Sequence, residues 1–227
     1  MNRTPKILMV LSSHDRLGDT GRPTGYYLPE LAHPWSVFGS AGYHVDLVSP
    51  QGGRPPAYGT DPQDPIQQAF LDDAEAGRKL AATLRPEEID PADYDVVFYV
   101  GGHGTMWDFP GNAALAGIAR DVYENGGVVA AVCHGPAGLL DITLSDGTRL
   151  VEGKRVTGFT NSEEAAAGLT DVVPFPLQTA LEQIGAKHEG VGDYLAHVVV
   201  DGRLVTGQNP ASAFGTAEAV VGVLAGR

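Results

Sequence analysis

Apolar residues along this chain gather in short runs bounded by turn-forming residues: Ile7–Leu11, Val45–Val48, Val96–Val100, Val128–Val132, and Val198–Val200 with Leu204–Val205. Several of these runs lack polar alternation, as strands covered on both faces do. The stretches between them have helical periodicity. Tyr27–Ala41 places Leu28, Leu31, Trp35 and Phe38 on one stripe and meets Gly42, a C-terminal stop. Asn112–Glu124 follows Pro110 and Gly111 and carries Leu115, Ile118 and Val122. Pro176–Ile184 ends at Gly185, and Ser212–Leu224 runs toward the C-terminus. Strand and helix alternate, which predicts an α/β fold: a doubly wound, mostly parallel, flavodoxin-like sheet with helices on both faces.

The segment Gln51–Asp93 breaks the alternation. It holds Pro55, Pro56, Pro62 and Pro65, then a charged helical piece over Phe70–Leu84. It reads as an insertion or cap over the sheet of one domain spanning residues 1–227, a length that suits one large domain. The 30 glycines and 16 prolines exceed ordinary usage without reaching the level of disordered chains, so tight turns are expected.

Charge narrows the partners. Fifteen basic residues against 28 acidic ones give a net charge of −13. That field repels phosphate backbones and anionic lipid, so neither a nucleic-acid nor a membrane partner is expected. No apolar stretch nears the roughly 18 residues of a spanning helix. The Ile7–Leu11 run is too short for a signal-peptide core, and a cytoplasmic location is expected. There a free thiol stays reduced. With a single cysteine, an intramolecular disulfide and a multi-cysteine metal site are excluded. Cys133 is then either a small buried hydrophobe or a reagent.

Its surroundings favour the reagent. In GGVVAAVCHGPAGLL a buried strand runs directly into Cys133, His134, Gly135 and Pro136, where a helix is expected to begin. Small residues on both sides permit a sharp strand-to-helix turn of the nucleophile-elbow kind. A thiol at a helix N-terminus is stabilised as thiolate. His134 is the adjacent base candidate and needs an orienting carboxylate, for which 28 acidic residues compete. The third run ends in YVGGHGTMWDFPG. Its consecutive glycines allow a backbone to approach a ligand, and their N–H groups could face a developing oxyanion. His103 within it is either a pocket-wall residue or a ligand or base.

These motifs resemble the ThiJ/PfpI superfamily, relatives of the class I glutamine amidotransferases, and most closely its heat-shock chaperone-type glyoxalase III branch. The resemblance rests on TGYYLPELAHPW, GGHGTMWDFP, AAVCHGPAGL, EGKRVTGFTNSEE and DGRLVTGQNPASA, five motifs in order along nearly the whole chain. It implies Cys133 as nucleophile and His134 as acid/base. It implies Glu164 as the carboxylate on His134, with Glu163 as its neighbouring alternative, and Glu30 against the cysteine sulfur. Backbone N–H groups of Gly102 and His134 would form the oxyanion hole. His103, Trp107, Tyr26 and the insertion are expected to wall the substrate pocket. The family resemblance also implies a homodimer and no metal or organic cofactor.

The expected activity is that of a lyase of the glyoxalase III (D-lactate dehydratase) type. A small 2-oxoaldehyde such as methylglyoxal would form a hemithioacetal with Cys133 and leave as a 2-hydroxy acid, without glutathione. Glu30 beside a thiolate should be protonated, since two anions in contact are unfavourable. The rival readings are a carbonyl-adduct deglycase, a cysteine amidase or other hydrolase, a stress-responsive holdase chaperone, and a sensor whose cysteine oxidises.

Overall fold

The computed structural model of the protein describes residues 3–226. In its first half lie β1 (Lys6–Val10), β2 (Tyr26–Tyr27), α1 (Leu28–Ser40), β3 (His44–Val48), β4 (Ala57–Tyr58), α2 (Pro65–Asp72), α3 (Ala74–Ala81), β5 (Val96–Tyr99) and α4 (Thr105–Asp108). Then come α5 (Ala113–Glu124), β6 (Val128–Val132), β7 (Arg155–Val156), α6 (Asn161–Ala166), α7 (Leu177–Gln183), β8 (Lys187–His188), β9 (Val198–Asp201), β10 (Leu204–Gly207) and α8 (Ala213–Ala225). The apolar runs pair into a six-stranded sheet ordered β3-β1-β5-β6-β10-β9. Every pairing is parallel except β9 with β10, which are joined by a tight turn through Gly202 at φ +59°.

Alternate residues of β5 show why these strands carry no polar face. Phe98 meets Phe38 of α1 edge-on at 5.8 Å, whereas the Tyr99 hydroxyl donates to the Leu115 carbonyl of α5 at 3.1 Å. Successive side chains of a strand point to opposite faces, so α1 and α5 cover the two sides of the sheet. The sheet is thus the mostly parallel, doubly wound one the sequence predicts. Among the described residues no helix is long and apolar enough to cross a membrane.

The segment 51–93 docks at the β3 edge and on α1. Leu84 exchanges backbone hydrogen bonds with Leu47 and Ser49, Phe70 packs edge-on against Trp35 at 5.4 Å, and His33 pairs with Asp64 at 2.7 Å. The single helical piece expected over Phe70–Leu84 is instead two helices. Asp64 caps α2 through Ile66 and Gln67, with Pro65 at the first helical position. Asp73 ends that helix in an extended conformation and caps α3 through Glu75 and Ala76. The two-residue pairs β2/β4 and β7/β8 were not foreseeable, because two residues carry no periodicity.

The expected helix after the elbow is a five-residue 3₁₀ turn, Gly135–Leu139. Its chain runs too close to β5 for a side chain: a Cβ on Gly135 would lie 2.3 Å from the Tyr99 carbonyl oxygen. Gly135→Ala should therefore cost about 2 kcal/mol, as overpacking against an immobile backbone does. Urea unfolding of the two proteins measures this, and an unchanged midpoint would show that the turn has room to give.

Candidate active site

Cys133 sits at the carboxyl end of β6 with φ +60°, a left-handed conformation that non-glycine residues rarely hold. Two backbone bonds fix it there. Its N–H donates to the Gly207 carbonyl at 2.9 Å, and its carbonyl accepts from Phe159 N–H at 2.8 Å. The second bond places the start of α6. Thr160 then caps that helix in a reciprocal arrangement with Glu163, and Glu164 follows in the first turn.

Around Cys133 the side chains form one hydrogen-bonded chain. The sulfur lies 3.3 Å from His134 Nδ1, and His134 Nε2 lies 2.7 Å from Glu164 Oε2. The other oxygen of Glu164 lies 2.9 Å from His103 Nε2, and His103 Nδ1 lies 3.0 Å from the Tyr58 hydroxyl. An ionised carboxylate only accepts, so both Nε2 atoms carry hydrogen. His134 Nδ1 is left to accept from the thiol, and His103 Nδ1 to accept from Tyr58.

The charge states agree with this proton placement. Burial works to raise the Glu164 carboxyl, but hydrogen bonds from His103 and His134 hold it down to about 2. Burial, with the nearby His103, takes His134 down to about 4, against the pull of Glu164. The imidazole is therefore neutral at pH 7, with its Nδ1 lone pair free to accept a proton. Glu30, fully buried on α1, is pushed up to about 8 by burial, which the facing Cys133 thiol and Gly101 N–H only partly offset. Neither Glu30 oxygen has a partner of full hydrogen-bonding geometry among the described residues.

The expected thiolate is not the resting form. Burial pushes the Cys133 thiol well up, and a charged Glu30 would push it further. The short 3₁₀ turn has too few aligned peptides to oppose this. The resting site therefore holds a thiol and a carboxylic acid side by side.

Glu163 does not reach His134. Its carboxylate is taken up by Thr160, by the Gln208 and Asn209 amides, and by the backbone N–H of Tyr194. The cavity in front of Cys133, about 170 Å³, is walled chiefly by Tyr27, Tyr58, His103, Phe159, Tyr194 and Pro210. Two expected wall residues lie elsewhere. The Tyr26 side chain faces a larger cleft of about 630 Å³ beside Arg54, because its neighbour Tyr27 takes the inward position on β2. Trp107 stacks on His14 at 5.0 Å and faces Thr20 and Val172. Tyr58 carries the contribution of the 51–93 segment. Tyr27, Phe159 and Tyr194 had no sequence signal beyond their aromatic character.

The glycines of the 101–104 loop also serve another purpose than expected. A Cβ on Gly101 would lie 2.2 Å from Glu30 Oε2, and one on Gly102 would lie 2.5 Å from the Tyr27 nitrogen. The close approach is therefore to α1 and β2. Gly102 holds φ +105°, and it is Gly101 whose Cβ would also meet Cys133 Cβ, at 2.9 Å.

His103, His134 and Glu164 offer ligand atoms within 4.8 Å of one another, the spacing of a divalent metal site. Both imidazole Nε2 atoms already donate to the carboxylate, and a cation would have to displace both hydrogens.

Residues 24–222 match the DJ-1/PfpI family. The chain belongs to this family. Glutathione-independent glyoxalase HSP31 of Saccharomyces cerevisiae is 37% identical to it over 231 residues, covering 93% of this chain and 94% of the relative. Among solved DJ-1/PfpI-type folds, the 24-kDa rapid encystment protein of Francisella tularensis superposes with a TM-score of 0.94 at 36% identity, covering 97% of this chain and 99% of that one. Glyoxalase III of Candida albicans superposes with a TM-score of 0.90 at 35% identity, covering 96% and 97%.

Glu30 also marks a stability penalty in this family member. Its folded pKa of about 8 lies above the ordinary 4.5, so the stability tied to its proton is complete below about pH 4.5 and is lost as the pH rises toward 8. At pH 7 the loss amounts to about 3 kcal/mol. Glu30→Gln does not titrate, so its melting temperature should exceed wild type by a margin that widens between pH 5 and 8. A margin independent of pH would show that Glu30 is ionised in the folded protein.

Proposed function

We propose that this protein is a glutathione-independent glyoxalase converting methylglyoxal-type 2-oxoaldehydes to 2-hydroxy acids through a hemithioacetal on Cys133. The observation that carries the reading is a thiol–imidazole–carboxylate chain opening into an apolar cavity of about 170 Å³. That volume gives room for roughly five or six water-sized heavy atoms, the size of methylglyoxal. A carbonyl adduct on a protein surface has poor access to a cysteine that is 4% exposed.

The reaction follows from the proton positions. His134 Nδ1 takes the thiol proton as sulfur bonds to the aldehyde carbon, and the imidazolium is held by Glu164. The new alkoxide lies toward the backbone N–H groups of Gly102 and His134 and is protonated to the hemithioacetal. His134 then removes the hydrogen on that carbon, giving an enediolate, and returns it to the neighbouring carbon while the C1 hydroxyl proton passes to the C2 oxygen, which leaves the thioester of the 2-hydroxy acid. Water adds to the thioester carbonyl, sulfur departs as thiolate and is reprotonated, and the 2-hydroxy acid leaves. Protonated Glu30 donates to the sulfur whenever it is anionic, so the site never holds two bare anions in contact.

The active form has neutral His134 and protonated Glu30, which predicts limbs of the kcat/KM profile near pH 4 and pH 8. The protein acts in the cytoplasm, where a reduced thiol persists, as a single-domain homodimer. The dimer rests on the family resemblance, and exposed Leu195 and Phe214 offer apolar surface for a second copy.

Methylglyoxal loss and lactate formation, followed without added thiol, should be abolished by Cys133→Ala. Equal rates in the two proteins would overturn the assignment. Tyr194, half-exposed on the outer wall, should set the size limit. Tyr194→Ala is expected to raise kcat/KM for phenylglyoxal relative to methylglyoxal, and an unchanged ratio would place the limit deeper in the cavity.

A further inference from the structure

The proposed chemistry uses one imidazole, yet Glu164 accepts hydrogen bonds from two. Both ring nitrogens of His103 are engaged, Nε2 with Glu164 at 2.9 Å and Nδ1 with the Tyr58 hydroxyl at 3.0 Å. The same hydroxyl accepts the His103 backbone N–H at 3.1 Å. No nitrogen of this ring is free to meet a substrate. Tyr58 is fixed in turn, because β4 pairs with β2 in the register Tyr27 to Tyr58 and the Tyr27 N–H donates to the Gly101 carbonyl at 3.0 Å.

We propose that Tyr58 and His103 are a positioning pair that holds the second oxygen of Glu164, extending the Cys133–His134–Glu164 chain into the 51–93 segment and setting how firmly Glu164 grips His134.

The physical argument concerns sharing. A carboxylate that accepts a second N–H is a weaker acceptor toward the first. The Tyr58 hydroxyl, donating to Nδ1, polarises the His103 ring and strengthens its Nε2–H as a donor. His134 must both take and return a proton in each turnover, and a carboxylate left to it alone would hold the imidazolium too tightly. The groups facing His134 are Glu164 and Glu163 from α6, His103 from the glycine loop, and Cys133 and Glu30 across the cavity. Removing His103 takes away a donor to Glu164, which then accepts more strongly from His134 and makes that imidazole more basic.

The proposal rests on the glyoxalase reading for its kinetic readout only, since the ionisation of His134 can be followed in the free protein. Ring NMR with labelled histidine should find His134 titrating near pH 4 in wild type. His103→Leu should move that titration up by about one unit, the equivalent of one lost hydrogen bond. The acid limb of kcat/KM should move with it. The kcat should fall by about 10- to 100-fold, the effect of a misplaced catalytic group, with KM little changed. His103→Gln, whose amide still donates to Glu164, should recover most of both. Tyr58→Phe removes one hydroxyl, keeps the ring, and should shift the titration the same way by less, so it decides the question if His103→Leu does not fold. A His134 titration unmoved in His103→Leu or Tyr58→Phe, or His103→Gln as impaired as His103→Leu, overturns the proposal. A wild-type protein inactive on methylglyoxal sinks the functional reading instead and leaves the NMR test standing.

Discussion

The carboxyl edge of the sheet is organised around one strained residue. Holding Cys133 at φ +60° costs about 1–3 kcal/mol and persists only where the surroundings over-determine it. They do so from three sides. Gly207 of β10 accepts its N–H, Phe159 donates to its carbonyl, and Gly135 lies flat against the Tyr99 carbonyl of β5. The Phe159 bond matters most for chemistry, because the chain that hangs from it becomes α6 a residue later. Glu164 reaches His134 because Phe159 is tied to the nucleophile's own backbone. The strain at the thiol and the placement of its third partner are therefore one structural fact.

Charge is rationed in the same space. Of Glu30, Cys133, His134 and Glu164, only Glu164 is ionised at pH 7, and two imidazole N–H groups satisfy it. A buried charge is tolerable under those terms, as it is for neighbouring Glu163, whose carboxylate accepts from Thr160, Tyr194, Gln208 and Asn209. The nucleophile is accordingly made on demand, by moving one proton over the 3.3 Å between sulfur and Nδ1. A thiol kept protonated until a carbonyl arrives is also less exposed to oxidation, which acts on the thiolate.

The sheet was legible in the sequence because its strands are covered on both faces and so appear as unbroken apolar runs. The elbow was legible because VVAAVCHG joins such a run to small residues that permit a sharp turn. What the residues alone could not select was the carboxylate on His134, since neighbouring Glu163 and Glu164 differ in role by one step of helix rotation. The pocket walls were less legible still. Tyr26 and Tyr27 are adjacent and chemically alike, and only the two-residue pairing of β2 with β4 decides which faces the thiol. Tyr58 belongs to a proline-rich stretch without periodicity, and its approach to His103 is a tertiary contact across 45 residues. The sequence after the elbow predicts a helix, but a five-residue 3₁₀ turn stands there, and burial outweighs its small dipole at the thiol.

Glu163 and Glu164 also join two properties that are usually separable. Glu164 aligns the base, while Glu163, one residue earlier in the same turn, anchors the backbone of Tyr194 and the amides of Gln208 and Asn209. Tyr194 is the half-exposed outer wall of the cavity, held at φ +59° by that anchor. The outer wall and the turn that carries Glu164 are thus tied by direct hydrogen bonds. Because interiors are close-packed and transmit strain, a displacement of that wall would reach His134 through two residues. The outer wall of the cavity and the carboxylate beside His134 are therefore carried by the same turn of helix, so under the proposed function shape and proton placement would be coupled there.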